Sequence, residues 1–384
     1  MKELNDLKPD FEKISELLDK IPVPEAIREN LNRLKGLIIE HRSPRIAVIG
    51  RRGSGKTSLL NALIGDSEFC KTGVTDTTLD DQWFSVNLDG CGLDWLDTPG
   101  TGAGGKKEER LAKLSQSIEE KRPDAIILML KADEIDSEID ATLDDLRTIV
   151  SITKYEGRTA PVLAIVSQVD KLPPPTNHKP PYKERKKENI RVVVKKAEEH
   201  LKRHHLEVIS IIPVAAYFDE DDDLRYNIGK LSEILGRSLP EIARLEAARA
   251  FKEAVELRNS IVRTIIHLSA GTAGGIGAIP IPVADIVPLT AIQVTMILSI
   301  AYLGGSKIDA ADAGKFLASM GAAVAAGVGL RALVRMVPFA GWAASATVAA
   351  AGTEAMGFAA SAVYVDNKSL KEAKKIFREH GKGV

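Results

Sequence analysis

Cysteine is nearly absent from this chain: Cys70 and Cys91 are the only two in 384 residues. Two thiols cannot staple a chain this long, so a disulfide scaffold is excluded and a reducing cytosol is the expected compartment. Aromatic residues are scarce as well, at 5%. Neither sign of charge is in excess. Fifty-two Lys and Arg against 53 Asp and Glu leave a net charge of −1. A chain held chiefly to nucleic acid carries a basic excess, so a nucleic-acid partner is not expected. The opening Met1-Lys2-Glu3-Leu4-Asn5-Asp6 has acidic groups and no apolar run, which predicts no secretory leader. Hydrophobic residues at 44% and charged residues at 27% still suffice for a packed core and argue against global disorder. The length suits two or three domains.

Charge is missing most sharply from one stretch. Between Thr264 and Val365 the charged residues are Asp285, Lys307, Asp309, Asp312, Lys315, Arg331, Arg335 and Glu354. The rest of the chain is denser in charge than an average protein. One chain therefore contains two solvation problems.

What is present is organised accordingly. Residues 1–43 read as helix, with Leu7, Phe11, Ile14, Leu17 and Leu18 at helical spacing and Leu31, Leu34 and Leu37 after a Pro-containing break. Arg45-Ile46-Ala47-Val48-Ile49 ends in Gly50 as a buried strand does. Further strands are predicted at Gln82 to Leu88, Gly92 to Leu96, Asp124 to Leu130, Pro161 to Ser167 and Glu207 to Ile212. Helical patterns at Thr57 to Leu63, Glu108 to Glu120, Ser137 to Ile152 and Tyr182 to His205 separate most of them. This alternation predicts an α/β fold over 44–236, a doubly wound, mostly parallel sheet covered on both faces. Residues 237–384 read as helix, and residues 1–43 are expected to join them in an all-α domain. No fixed-period repeat is visible.

Gly50-Arg51-Arg52-Gly53-Ser54-Gly55-Lys56-Thr57 matches GxxxxGK[ST], between a predicted strand and a predicted helix. Glycines let successive backbone N–H groups turn inward around phosphate oxygens, and the helix N-terminus adds its partial positive charge. Lys56 is placed to reach the β- and γ-phosphates, and the Thr57 hydroxyl to ligate Mg2+. Asp97-Thr98-Pro99-Gly100 ends another apolar strand. A carboxylate there holds a water on Mg2+, and the Gly100 N–H meets the γ-phosphate.

These motifs, continued by Ser58-Leu59-Leu60-Asn61-Ala62-Leu63, resemble the Era-like branch of the translation-factor-type GTPases. The resemblance covers about residues 44–236. It implies GTP binding and Mg2+-dependent hydrolysis to GDP, with a threonine that closes onto the metal and the γ-phosphate. Thr78 fits the family spacing, and Thr75 is the alternative. The family reads its base with Asn/Thr-Lys-x-Asp, whereas this chain has Ser167-Gln168-Val169-Asp170. Asp170 keeps the carboxylate that accepts from N1–H and N2–H₂ of guanine, a donor pair adenine lacks. Gln168 and Ser167 depart from the pattern, which implies weaker base affinity. A later family loop corresponds to Val214-Ala215-Ala216, placing Ala215 and Ala216 near the base.

The glutamine that follows the DxxG glycine in Ras-type enzymes is missing. Thr101 stands there, followed by Gly102-Ala103-Gly104-Gly105. Slow intrinsic turnover is expected, raised by a homodimer, a partner or a potassium ion. Arg52 is open to two readings, an arginine finger or a surface arginine with its head in water.

Three uncharged runs, Thr264–Ala284, Ile286–Ser306 and Met336–Thr353, approach the roughly 20 residues a bilayer crossing needs. They are rich in Ala, Gly, Ser and Thr, which suit close helix packing in lipid and in a soluble bundle alike. The layout resembles Era-like GTPases with a C-terminal Gly/Ala-rich helical domain and, loosely, the immunity-related and dynamin-like GTPases. It implies a membrane or protein partner for the helical domain. The chain is then expected in the cytoplasm, at the inner face of the membrane if lipid is the partner. Lys368, Lys371, Lys374, Lys375, Arg378 and Lys382 near the end suit either an anionic lipid surface or plain solvation.

Overall fold

Branched apolar runs form the central strands, and Gly50 ends the first of them where the chain must turn. In chain order the elements are α1 (Glu25–Ile38), β1 (Arg45–Gly50), α2 (Lys56–Ile64), β2 (Gln82–Leu88), β3 (Cys91–Asp97), α3 (Lys107–Glu120), β4 (Ala125–Lys131), α4 (Ile139–Ile152) and β5 (Val162–Ser167). There follow two 3₁₀ turns (Val169–Lys171 and Pro175–Asn177), α5 (Glu184–Arg203), β6 (Ile211–Val214), α6 (Ile228–Ser238), α7 (Glu241–Ala250) and α8 (Val255–Gly277). The last elements are α9 (Ile286–Leu303), α10 (Ala310–Gly321), α11 (Ala346–Tyr364) and α12 (Leu370–Gly381). The computed structural model describes residues 16, 24–69, 82–88, 91–97, 107–135, 139–153, 159–277, 286–321 and 346–381. The chain divides into two compact units, one of residues 43–257 and one of residues 1–42 with 258–384.

The first unit holds a six-stranded sheet in the order β2-β3-β1-β4-β5-β6. All neighbours are parallel except β2 and β3, which run antiparallel. Parallel strands need crossovers, and helices supply them, so both faces of the sheet are covered. The alternation of side chains shows this directly. Ala47 and Ile49, Ile126, Leu128 and Leu130, and Val162, Ala164 and Val166 share one core with Leu143 and Leu146 of α4 and Ile190 and Leu201 of α5. The intervening Ile46, Val48, Ile127, Leu163 and Ile165 are equally buried on the other face. Cys91 lies inside, where burial pushes its thiol up to about 11, an unreactive setting.

The expected Glu207–Ile212 strand is displaced to Ile211–Val214. The ladder to β5 begins with Ile209 N–H donating to Val162 O at 2.8 Å. Pro213 has no N–H to offer, and an edge strand tolerates that.

The second unit shows what the charge-poor tract builds. From Ala291 to Leu303, α9 is buried around its whole circumference. A helix apolar on all sides belongs in a core, and here other helices enclose it. Glycine permits the approach: a Cβ on Gly357 of α11 would stand 2.6 Å from Ile266 of α8 and 3.0 Å from Met296 of α9. Inside, Gln293 Nε2 donates to Thr353 Oγ1 at 3.1 Å. Helix α12 lies against α11, with His380 stacked on Phe358. No helix among the described residues is long and apolar enough to cross a membrane. Residues 336–345 of the third uncharged run lie outside the described residues.

Candidate nucleotide site

The phosphate loop follows from its glycines. Gly53 and Gly55 have φ of 77° and 92°, a left-handed conformation that costs an L side chain about 1–2 kcal/mol. Gly55 is the residue at which α2 begins, so the free N–H groups of the helix point into the loop. Gly50 is needed for a different reason: a Cβ there would lie 2.9 Å from the Met129 carbonyl oxygen. Nothing lies within 4 Å of where a Cβ on Gly53 would be, so the loop faces open space on that side. The Ser54 side chain is 1% exposed, and its hydroxyl finds no partner. Lys56 Nζ bends back to donate to Gly50 O at 3.2 Å.

This geometry suits a polyphosphate. The helix N-terminus, the inward-turning amides and the ammonium all favour negative charge at one point. Thr57 is exposed in the first turn of α2. Asp97 ends β3 on the strand beside β1, in register with Val48. Thr57, in the helix that follows β1, and Asp97, at the end of the neighbouring strand β3, lie at the same end of the sheet, and a hydroxyl and a carboxylate are oxygen donors of the kind Mg2+ takes. Thr75, Thr78, Gly100 and Thr101 lie outside the described residues. Arg52 projects into solvent, whereas Arg51 is held by Glu134 at 3.4 Å. Glu134 also takes a 2.7 Å hydrogen bond from Lys131 at the end of β4.

The Ser167–Asp170 segment leaves the end of β5, two strands along the sheet from β1. Ser167 ends β5 and is buried, its hydroxyl 3.4 Å from Leu130 O. Gln168 adopts φ 59°, unusual for a residue with a long side chain. Its Nε2 donates to Gly53 O in the phosphate loop at 2.5 Å. Its Oε1 accepts from Lys171 Nζ at 2.7 Å. One amide thus ties the two loops across 115 positions of sequence. Asp170 sits in the first 3₁₀ turn, half-buried, and burial raises its carboxyl above the ordinary value. Ala215 is buried and pairs with Tyr226, and Ala216 lies beside it at the end of β6.

Sequence reasoning overlooked three groups here. Glu134 and Lys171 are unremarkable charges in loops. Lys186 carried a readable sign, because it occupies the buried stripe of α5 with Ile190, Ala197 and Leu201. Among the described residues no cluster of His, Cys, Asp or Glu is built to hold a metal ion. His200 and His204 instead pair with Asp140, at 3.4 and 3.0 Å.

Residues 45–166 match the family described as 50S ribosome-binding GTPase. The GTPase Der of Psychrobacter arcticus is 32% identical over 132 residues, covering 32% of this chain and 28% of that protein. The GTPase Der of Xanthomonas oryzae is 36% identical over 126 residues, covering 30% and 27%. The chain thus spans well under a third of these relatives' length. Two solved structures are similar at a looser level. Era, in complex with MgGDPNP and a segment of 16S ribosomal RNA, has 22% identity and a TM-score of 0.35, over 61% of this chain and 68% of that one. A GTP-binding protein from Sulfolobus solfataricus in complex with GDP has 19% identity and a TM-score of 0.32, over 51% and 52%. Residues 45–166 are thus similar in sequence to a P-loop GTPase domain.

Proposed function

We propose that this chain is a guanine-nucleotide switch: it binds GTP with Mg2+, hydrolyses it slowly, and passes the nucleotide state to a partner through its helical unit. The observation that carries this is the amide bridge from Gln168 to Gly53. It brings a phosphate cradle and the Asp170 carboxylate to one end of one sheet, as a single bound nucleotide requires.

In this reading the main-chain N–H groups of residues 53–57 hold the phosphates, Lys56 swings from Gly50 O onto the β- and γ-oxygens, and Ser58 follows in the helix. Arg51 is steadied by Glu134. Thr57, Asp97 and Thr78 hold Mg2+, which when bound neutralises charge developing on the phosphates. Thr75 is the alternative to Thr78. Gly100 N–H meets the γ-phosphate. Asp170 accepts from guanine, Ser167 supports the turn, and Ala215 and Ala216 line the ring. No glutamine follows Gly100, which supports slow turnover unless a homodimer or partner completes the site. Arg52 is the one cation of the loop that faces solvent, free to act as a finger toward its own nucleotide or a second copy. Residues 1–42 and 258–384 form the output unit, toward a protein or the inner membrane surface.

Asp170→Asn is the test. Asparagine donates where aspartate accepts, so it matches the C2 carbonyl of xanthine and not the amino group of guanine. GDP affinity is expected to fall roughly 100-fold, since two hydrogen bonds to a charged group are lost. XDP affinity is expected to rise. Unchanged GDP affinity overturns the assignment of the base site. The ribosome-binding description of the matched family makes a ribosomal partner the second reading. A salt-sensitive shift of ribosomal RNA by the protein would favour it.

A further inference from the structure

Lys186 is 0% exposed, and among the described residues it is the only buried lysine or arginine. It lies in the first turn of α5, where the helix dipole opposes a cation. Burying an ammonium at the wrong end of a helix is costly, and its surroundings show what offsets the cost. Its Nζ donates to the main-chain oxygen of Asp170 at 2.5 Å. It stands 5.0 Å from the centre of the Tyr182 ring, which packs at a tilt of 44° against Tyr226 with centroids 4.8 Å apart. The Tyr182 hydroxyl is itself buried without a partner. The ring is therefore kept for its face, as a roof over the cation.

We propose that Lys186 is a positioning residue for guanine recognition: it fixes the turn that carries Asp170 by gripping that residue's own carbonyl oxygen. The inference rests on the proposed base-reading role of Asp170. The 3₁₀ turn is only three residues long, and a short turn has little rigidity of its own. Helix α5 fastens it through Lys186 at Asp170, and holds the segment just beyond it through Asn189 Nδ2, which donates to Pro173 O at 2.8 Å. Lys186 also places a positive charge beside a carboxylate that burial would otherwise protonate more readily. Burial in turn pulls the ammonium below the usual lysine range, and the Asp170 charge opposes that pull. Each charge favours the ionised form of the other. Guanine selectivity, which the weakened Ser167-Gln168 pair supports poorly, is then restored from beneath the turn.

The measurement compares GDP with IDP, whose base lacks the 2-amino group but keeps the same phosphates. Titration calorimetry on the full chain with Mg2+ gives both affinities, and melting without nucleotide reports folding separately. The parent is expected to prefer GDP at least tenfold. Lys186→Met should reduce that preference to below threefold, GDP affinity falling more than IDP affinity, because IDP keeps the N1–H donor and lacks only the 2-amino group. Lys186→Arg, which keeps a charged donor, should recover part of the preference. If Lys186→Met melts too early to assay, Lys186→Gln is measured by the same ratio, with the same expected loss. A full GDP preference in whichever of these two variants is assayed overturns the proposal. Asp170→Asn separates the two failures: if it leaves the GDP:IDP ratio intact, Asp170 itself does not read the base. If it abolishes the ratio while the Lys186 variants do not, only the role of Lys186 falls.

Discussion

Gly50 and Asp170 make the sharpest demands on side-chain chemistry. A methyl group on Gly50 would press on the Met129 carbonyl at 2.9 Å and on Ser54 Oγ at 2.8 Å. The carbonyl belongs to the central strand and cannot give way. Gly50→Ala should destabilise the α/β unit by about 1–3 kcal/mol, read from urea unfolding, and abolish GDP binding. Asp170 should set the pH dependence. Its carboxyl is held by burial above the usual value of about 3.9, with Lys171, Lys186 and His178 pulling the other way. Only the ionised form accepts from guanine, so GDP affinity should fall as pH drops through that raised value. Apo stability moves in the opposite sense. The folded state binds the proton more tightly than the unfolded chain, so Asp170 destabilises above its folded value, and the penalty disappears below about 3.9. Calorimetric titrations from about pH 8 to about pH 5 check the first effect, and Asp170→Asn should flatten the curve.

The elements show how far local pattern reaches. Strand β1, the phosphate loop and α2 are readable because everything they need lies within twenty residues: a branched run, three glycines, a lysine and a hydroxyl. The Gln168–Gly53 bridge was not readable, because nothing near Gln168 specifies a partner 115 positions away. Sequence alone presents Gln168 as a weak substitute for lysine. The structure gives it a main-chain acceptor in the opposite loop and a left-handed backbone that aims it there. Lys186 was hidden for the opposite reason, since it sits in a helix so rich in charge that one more lysine looks solvated. In α9 the uncharged run does not say what covers it, and the structure shows neighbouring helices burying Ala291 to Leu303 on all sides. Close packing at Gly357 makes this testable. Gly357→Val should force Ile266 and Met296 apart and destabilise the helical unit by about 1–3 kcal/mol, seen as an earlier thermal transition. Nucleotide affinity should be unaffected.

For the molecule as a whole, two compact units are expected to unfold in two transitions, of which one responds to nucleotide. GDP with Mg2+ should raise the transition of residues 43–257, by about 2.7 kcal/mol at a hundredfold excess over the dissociation constant. The transition that Gly357→Val lowers should stay in place unless the units are energetically coupled, and a joint shift would be the first sign of a switch.

The most direct measurement is a calorimetric titration of GDP and Mg2+ into the folded chain and into Lys56→Ala. The loop geometry predicts saturable uptake of one nucleotide per chain, weakened roughly tenfold or more when the ammonium is removed. A well-folded chain that takes up no guanine nucleotide, or a Lys56→Ala variant that binds as tightly as its parent, would contradict it.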